Sequence, residues 1–381
     1  MNNNLNFKKN TRIVVYSIVL CFLTLYLTVY FVKNNYDFAK KLSFSLSVFA
    51  NNAFTIPNTK SVFENNLRYN ISNLILNVAV FINPQDSFEY EVLGFNYYKL
   101  ARRSKNPVYK KAMIEKSFKN YEKSLVYFPN YYQTYNHLGY NYIEIEDFDN
   151  ALKMFNKSLE LKPKNGTALL ESSFIQAYVL KENEDALKKL KIYKAENPYD
   201  VNVYFSLGWV YDSLNQKKEA ISSYEKYLEA YPQNIAALVN ISGCENFIGD
   251  YEKALKHTNE GLLIRPYSIY LLSHKADALA NLGRYKEAKV IIQKEIDKKL
   301  FYGEYFFTFK LAKIQKIEGD TENSKKNFEK SKENAQNYFD NYCEGKDYNL
   351  NDNDDRCHNA SVFLKNFEKN KNLKRFVWFS N

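Results

Sequence analysis

Histidine, glycine and tryptophan are scarce in this chain: 4, 11 and 2 among 381 residues, beside 8 prolines and 4 cysteines. His137, His257, His274 and His358 stand apart in sequence, and no HExxH pair joins any two of them. The few glycines build no phosphate-cradling loop, for neither a P-loop nor GxGxxG occurs, and the GxSxG nucleophile elbow is missing too. Cys343, Cys357 and His358 lack the paired close spacing of a zinc site. The acidic stretch Asn349 to Asp355 lacks the central glycine and terminal glutamate of an EF-hand loop, and reads as a solvated loop. No run of five or six like charges marks a nucleic-acid tail. These absences exclude the common catalytic classes, so the chain is expected to be no enzyme, with no cofactor and no metal.

What the chain has is aromatic and basic. It carries 33 Tyr and 28 Phe, and 53 Lys+Arg against 43 Asp+Glu give a net charge of +10. The lysines are scattered along helix faces, so the excess reads as a compositional bias rather than as a docking patch.

Ile13 to Val32 is a charge-free apolar run. At about 1.5 Å per residue such a helix spans roughly 30 Å, the hydrocarbon thickness of a bilayer. A cleaved signal peptide is the competing reading, but its apolar region is usually about 7–15 residues with a small-residue cleavage site after it. The run is therefore expected to be an uncleaved anchor. Lys8, Lys9 and Arg12 before it nearly balance Lys33, Lys40 and Lys41 after it. The short N-terminal tail tips the orientation towards N-inside, which places the rest of the chain outside the cytoplasm. Cys343 and Cys357 give slight support as a candidate disulfide, the alternative being two unpaired thiols.

A period near 34 runs through the rest. Ala151, Ala186, Ala220, Ala254 and Ala288 are spaced 35, 34, 34 and 34, and Pro163, Pro198, Pro232 and Pro266 are spaced 35, 34 and 34. A small residue in mid-repeat and a proline at its end are the marks of a helix–turn–helix solenoid. The best unit runs from Tyr132 to Asn165. It places Tyr135, Leu138 and Tyr142 on one amphipathic stripe and Ala151, Phe155, Ser158 and Leu159 on a second. Gly139 and Ala151 are small where the two helices must approach closely, and Pro163 ends the second helix.

This unit resembles the tetratricopeptide repeat (TPR) family, matching W-x-x-L-G-x-x-Y…A-x-x-x-F…P with Tyr135 in the Trp place. The unit from Val201 matches through Tyr204, Leu207, Gly208, Tyr211, Ala220, Tyr224 and Pro232. The unit from Ile235 has Ser242 for the glycine, and those from Thr167 and Ile269 are looser. A further unit starts near Tyr305. Upstream, Tyr90, Leu93-Gly94 and Tyr97 read as a first helix and Ser117, Tyr121 and Pro129 as its second. The interval from Gly94 to Ser117 is 11 residues too long, and the surplus is expected in a loop over Arg102 to Pro107. Tyr69 to Ile82 reads as a lone second helix, and Ala360 to Glu368 as a closing one.

The expected architecture is an all-α, TPR-type superhelical solenoid preceded by one transmembrane helix. A tail spans residues 1–12, the anchor 13–32, a linker and degenerate half-repeat 33–86, the solenoid 87–338, and an acidic loop with a capping helix 339–381. The resemblance implies that the fifth, ninth and twelfth residues of each unit line a concave groove. These include Glu91, Phe95 and Tyr98; Asn136 and Tyr140; Glu171 and Tyr178; Phe205, Trp209 and Asp212; Asn246; and Asp277. The groove is then aromatic with scattered acids and free of lysine, which suits an extended, apolar, neutral or basic peptide and no nucleic acid. Carboxylate-clamp members of the family need Lys at the fifth place and Asn at the ninth. Neither occurs in these units, which disfavours a receptor for acidic chaperone tails. The expected function is a membrane-anchored adaptor or scaffold, the alternative being a noncatalytic accessory subunit of an envelope polysaccharide or secretion assembly.

Overall fold

The computed structural model describes residues 41, 43–46, 48–50, 62–85, 87–298, 303–343, 354–372 and 376. Helix is the only regular structure among them. The expected anchor Ile13 to Val32 lies outside the described residues, and no described helix is long and apolar enough to cross a membrane. The chain divides into two compact units, residues 1–168 and 169–381.

The first unit contains α1 (Val62–Ile82), α2 (Ser87–Arg103), α3 (Pro107–Tyr127), α4 (Tyr132–Glu144) and α5 (Phe148–Leu161). Consecutive helices pack on each other as hairpins. The loop predicted over Arg102 to Pro107 is a correction. Only Ser104 to Asn106 are non-helical, and the surplus residues lengthen α2 to 17 and α3 to 21 residues. The cause is local: Asn106 accepts from the Val108 and Tyr109 amides at 3.0 and 3.1 Å, and Pro107 is pre-set for the first helical position.

The second unit begins within α6 (Gly166–Phe174). It continues through a π-helical turn (Ile175–Leu180), α7 (Asn183–Glu196), α8 (Asn202–Ser213), α9 (Lys217–Ala230) and α10 (Ile235–Ile248). Then follow α11 (Tyr251–Ile264), α12 (Ile269–Asn281), α13 (Tyr285–Asp297), α14 (Glu304–Ile317) and α15 (Thr321–Tyr342), and last α16 (Asp354–Lys365) and α17 (Phe367–Asn372).

Each second helix of the regular repeats stops two residues before its proline. Leu161, Glu196, Ala230 and Ile264 precede Pro163, Pro198, Pro232 and Pro266. The residue before a proline is pushed out of the α region, which fixes the stop. The turns inside the hairpins share one hydrogen bond, from a backbone N–H to the carbonyl five residues earlier: Asp147 to Tyr142, Gln216 to Tyr211, Asp250 to Glu245 and Arg284 to Leu279. In the unit from Thr167 the matching bond runs from Glu182 to Gln176 and spans six. That extra residue is the one that lengthens the Ala151–Ala186 and Pro163–Pro198 intervals to 35, and the helix absorbs it as a π turn.

The small residues sit where helices meet. A Cβ on Gly139 or Gly208 would lie 2.7 Å from the Phe155 ring or 2.6 Å from the Tyr224 ring, and both rings are fully buried. At the far end, α16 and α17 bury Ala360, Phe363 and Phe367 against Tyr305, Phe306, Phe309 and Phe328. Cys343, ending α15, is disulfide-bonded to Cys357 of α16. The acidic stretch Asn349 to Asp355 is described only at Asp354 and Asp355.

Candidate peptide-binding face

In the first unit the expected groove residues come from α2 and α4. Glu91 is buried, accepts from Thr134 Oγ1 at 2.6 Å and lies 2.6 Å from His137 Nδ1. Asn136 is buried too, and its Oδ1 accepts from Asn165 Nδ2 at 3.0 Å. These two are structural. Phe95 and Tyr140 are half-buried. The Lys99 ammonium stands 4.9 Å over the Phe95 ring, and Tyr140 meets Phe155 edge-on at 5.7 Å and Tyr98 at 6.2 Å.

In the second unit the π turn aims Tyr178 at α8. Its ring stacks on Trp209 with centroids 3.9 Å apart and planes 24° from parallel. Phe174 approaches Tyr178 at 4.7 Å and is itself half exposed. Lys181, held at φ 62° as the turn ends, donates to the Tyr178 carbonyl at 3.0 Å and stands 5.8 Å over the Trp209 ring. Burial pushes the Tyr178 hydroxyl well above the ordinary phenol range, so it stays neutral. Phe205, one turn before Trp209, packs against Tyr227 at 5.2 Å and edge-on to Tyr224 at 5.9 Å. Tyr178, Trp209 and Phe205 are all half-buried, and so is Glu171 of α6, the helix that runs into the π turn.

The acids expected to give this face its charge are engaged within the protein. Asp212 pairs with Lys217 and accepts from the Cys244 thiol at 3.2 Å. Asp277 is buried and pairs with Lys310 of α14. Burial raises the Asp277 pKa and lowers that of Lys310. Asn246 is buried and donates to the His274 carbonyl at 2.9 Å. The inward places themselves hold no lysine, but lysines from nearby positions reach them: Lys99 stands over Phe95, Lys181 over Trp209 and Lys217 pairs with Asp212, and the unit near Tyr305 adds Lys310 and Lys313. Desolvation beside a carboxylate favours pairing over solvent, and a buried partner cannot be read from the spacing of one unit.

Asn281, Lys313 and Phe376 escaped the sequence reading. Phe376 lies outside any helix, is 3% exposed and joins the apolar cluster that includes Ala278, Ile292 and Phe307. Its backbone N–H donates to Asn281 Oδ1 at 2.9 Å, and its carbonyl accepts from Asn281 Nδ2 at 2.7 Å. The only signal was the aromatic and basic run Lys374 to Phe379 following a polar segment.

Residues 132–165 and 201–234 match the tetratricopeptide repeat. Among curated proteins, the chain is 32% identical over 143 residues to human Protein O-mannosyl-transferase TMTC3, covering 37% of this chain and 16% of that protein. It is 27% identical over 207 residues to Superkiller protein 3 of Schizosaccharomyces pombe, covering 51% and 14%. The chain thus spans a small part of the curated relatives it matches. Similar solved structures include YrrB, a TPR protein with an unusual peptide-binding site, at 22% identity and TM-score 0.46 over 52% of this chain and 97% of that one. A tetratricopeptide repeat protein from Parabacteroides merdae ATCC 43184 aligns at 18% and 0.48, over 73% and 98%. Residues 132–165 and 201–234 thus carry tetratricopeptide repeats, and helix is the only regular structure among the described residues.

Proposed function

We propose that the protein is a noncatalytic, membrane-anchored scaffold that holds an extended segment of a partner protein on the first-helix face of its repeats. The Tyr178–Trp209 stack supports this reading most directly. Two large rings, one delivered by an inserted residue and the other by α8, meet half-buried on that face, where rigid aromatics bury area at low entropic cost. With Asp212 and Asp277 paired internally, the aromatic shelf rather than net charge selects the segment. Its expected partner is apolar and neutral or basic, the basic preference resting on the electron-rich ring faces. The anchor at Ile13 to Val32 places the repeats outside the cytoplasm, and the Cys343–Cys357 bond fits that compartment.

Affinity purification from membranes in mild detergent tests the proposal. Wild-type chain is expected to retain a partner that Trp209→Ala and Tyr178→Ala both lose. Equal retention by all three would remove the shelf from the binding site.

A further inference from the structure

Phe376 is held in the way a bound peptide residue would be held. One side-chain carboxamide, that of Asn281, pairs with both main-chain polar groups of this residue. The amide orientation is over-determined, because Nδ2 also donates to the Asp277 carbonyl at 2.9 Å and that oxygen can only accept. Such pairing reads a main chain and not its sequence. The side chain is read separately: the Phe376 ring is enclosed at 3% exposure, with the Lys313 ammonium 4.7 Å over its face. Asn281 closes α12 and Lys313 lies in α14, so the contact bridges the first helices of adjacent repeats.

We infer that Asn281 and Lys313 form a second peptide subsite, specific for an aromatic residue in non-helical chain, and that the segment carrying Phe376 is its internal occupant. Three residues separate Phe376 from the end of α17 at Asn372, so its effective concentration at the subsite is on the order of millimolar or higher. An external segment of the same chemistry competes against that tether and binds at an affinity reduced by the vacant fraction. The inference rests on the reading of the first-helix face as peptide-binding, but it concerns residues far in sequence from the Tyr178–Trp209 shelf.

The test is a fluorescence titration of full-length protein with a labelled synthetic peptide of residues 373–381. Phe376→Ala protein, whose subsite is vacated, is expected to bind the peptide at least tenfold more tightly than wild type. Adding Asn281→Ala is expected to abolish that gain, as is replacing Phe376 by Ala in the peptide. Any binding that the Ala-substituted peptide retains is binding elsewhere on the protein, which separates failure here from failure of the shelf. Hydrogen exchange gives a second reading that needs no added peptide. The Phe376 amide is expected to be protected in wild type and to lose protection in Asn281→Ala. Equal peptide binding by wild type and Phe376→Ala, or a Phe376 amide still protected in Asn281→Ala, would overturn the inference.

Discussion

At Gly208 one added methyl carbon would sit 2.6 Å from the Tyr224 ring, and at Gly94 the same distance from Tyr121. Glycine holds these places because an aromatic ring from the second helix lies flat on the first-helix backbone. Where no large ring follows, glycine is not needed. The unit from Ile235 has Ser242 there, and Thr258 stands where the others place Phe155 or Tyr224. The alanine position follows a related rule. Ser117 and Ser324 replace alanine and stay buried because each donates across the hairpin, to the Gly94 carbonyl at 2.7 Å and the Ala312 carbonyl at 2.8 Å. Gly208→Ala is therefore expected to cost about 1–3 kcal/mol by overpacking, read as a shift in the denaturation midpoint. His274 makes a pH prediction. It is enclosed with Nδ1 3.0 Å from Ser242 Oγ, and burial, aided by the Lys310 charge, holds its pKa down at about 3 against 6.5. The unfolded chain then binds a proton between these values that the native chain does not. Stability is expected to fall as pH drops from about 6.5 to about 3, and denaturation of His274→Gln is expected to show a shallower acid slope.

At the scale of elements, the π turn accounts for the 35-residue interval in the alanine and proline spacings. Its inserted residue turns Tyr178 onto Trp209, while Lys181 closes the hairpin in the same left-handed conformation that Glu146, Asn215, Gly249 and Gly283 adopt in the other turns. Deleting Val179 restores the regular period. The variant is expected to keep its far-ultraviolet helix signal and to lose the near-ultraviolet dichroism of the stacked rings; an unchanged near-ultraviolet spectrum would separate the stack from the insertion. Much of this level was legible beforehand. The alanine and proline spacings place the helix pairs and their stops, because close packing and a proline's missing N–H act within a few residues. The interval of 35 was visible, but whether a loop or a helix takes up an extra residue depends on packing. The same holds for the surplus after Gly94, which went into α2 and α3 once Asn106 and Pro107 set a new helix start. Of the expected groove residues, Phe95, Tyr140, Tyr178, Phe205 and Trp209 are half-buried, whereas Glu91, Asn136, Asn246 and Asp277 are buried in bonds to distant partners. Position within a repeat names a face; it does not say which polar groups another repeat will claim.

At the scale of the whole molecule, two helical units follow an apolar run, and the proposal requires the run to hold them to a membrane. The protein is expected to stay with membranes through an alkaline carbonate wash. In intact cells an impermeant maleimide is expected to label Cys343 and Cys357 only after a reductant is added from outside. Release by carbonate, or labelling only after lysis, would contradict the anchor or its orientation. The central claim is narrower: the first-helix face binds peptide through the Tyr178–Trp209 shelf. The direct measurement is the affinity of a peptide, selected from a random library on the wild-type chain, for wild type, Trp209→Ala and Ala220→Leu. Ala220 is fully buried between helices, so its leucine variant is expected to lose about 1–3 kcal/mol of stability while its folded fraction still binds. Trp209→Ala is expected to weaken binding by roughly 2 kcal/mol or more with a smaller loss of stability. Trp209→Ala that binds as tightly as wild type, or that unfolds the repeats while Ala220→Leu is silent, would contradict it.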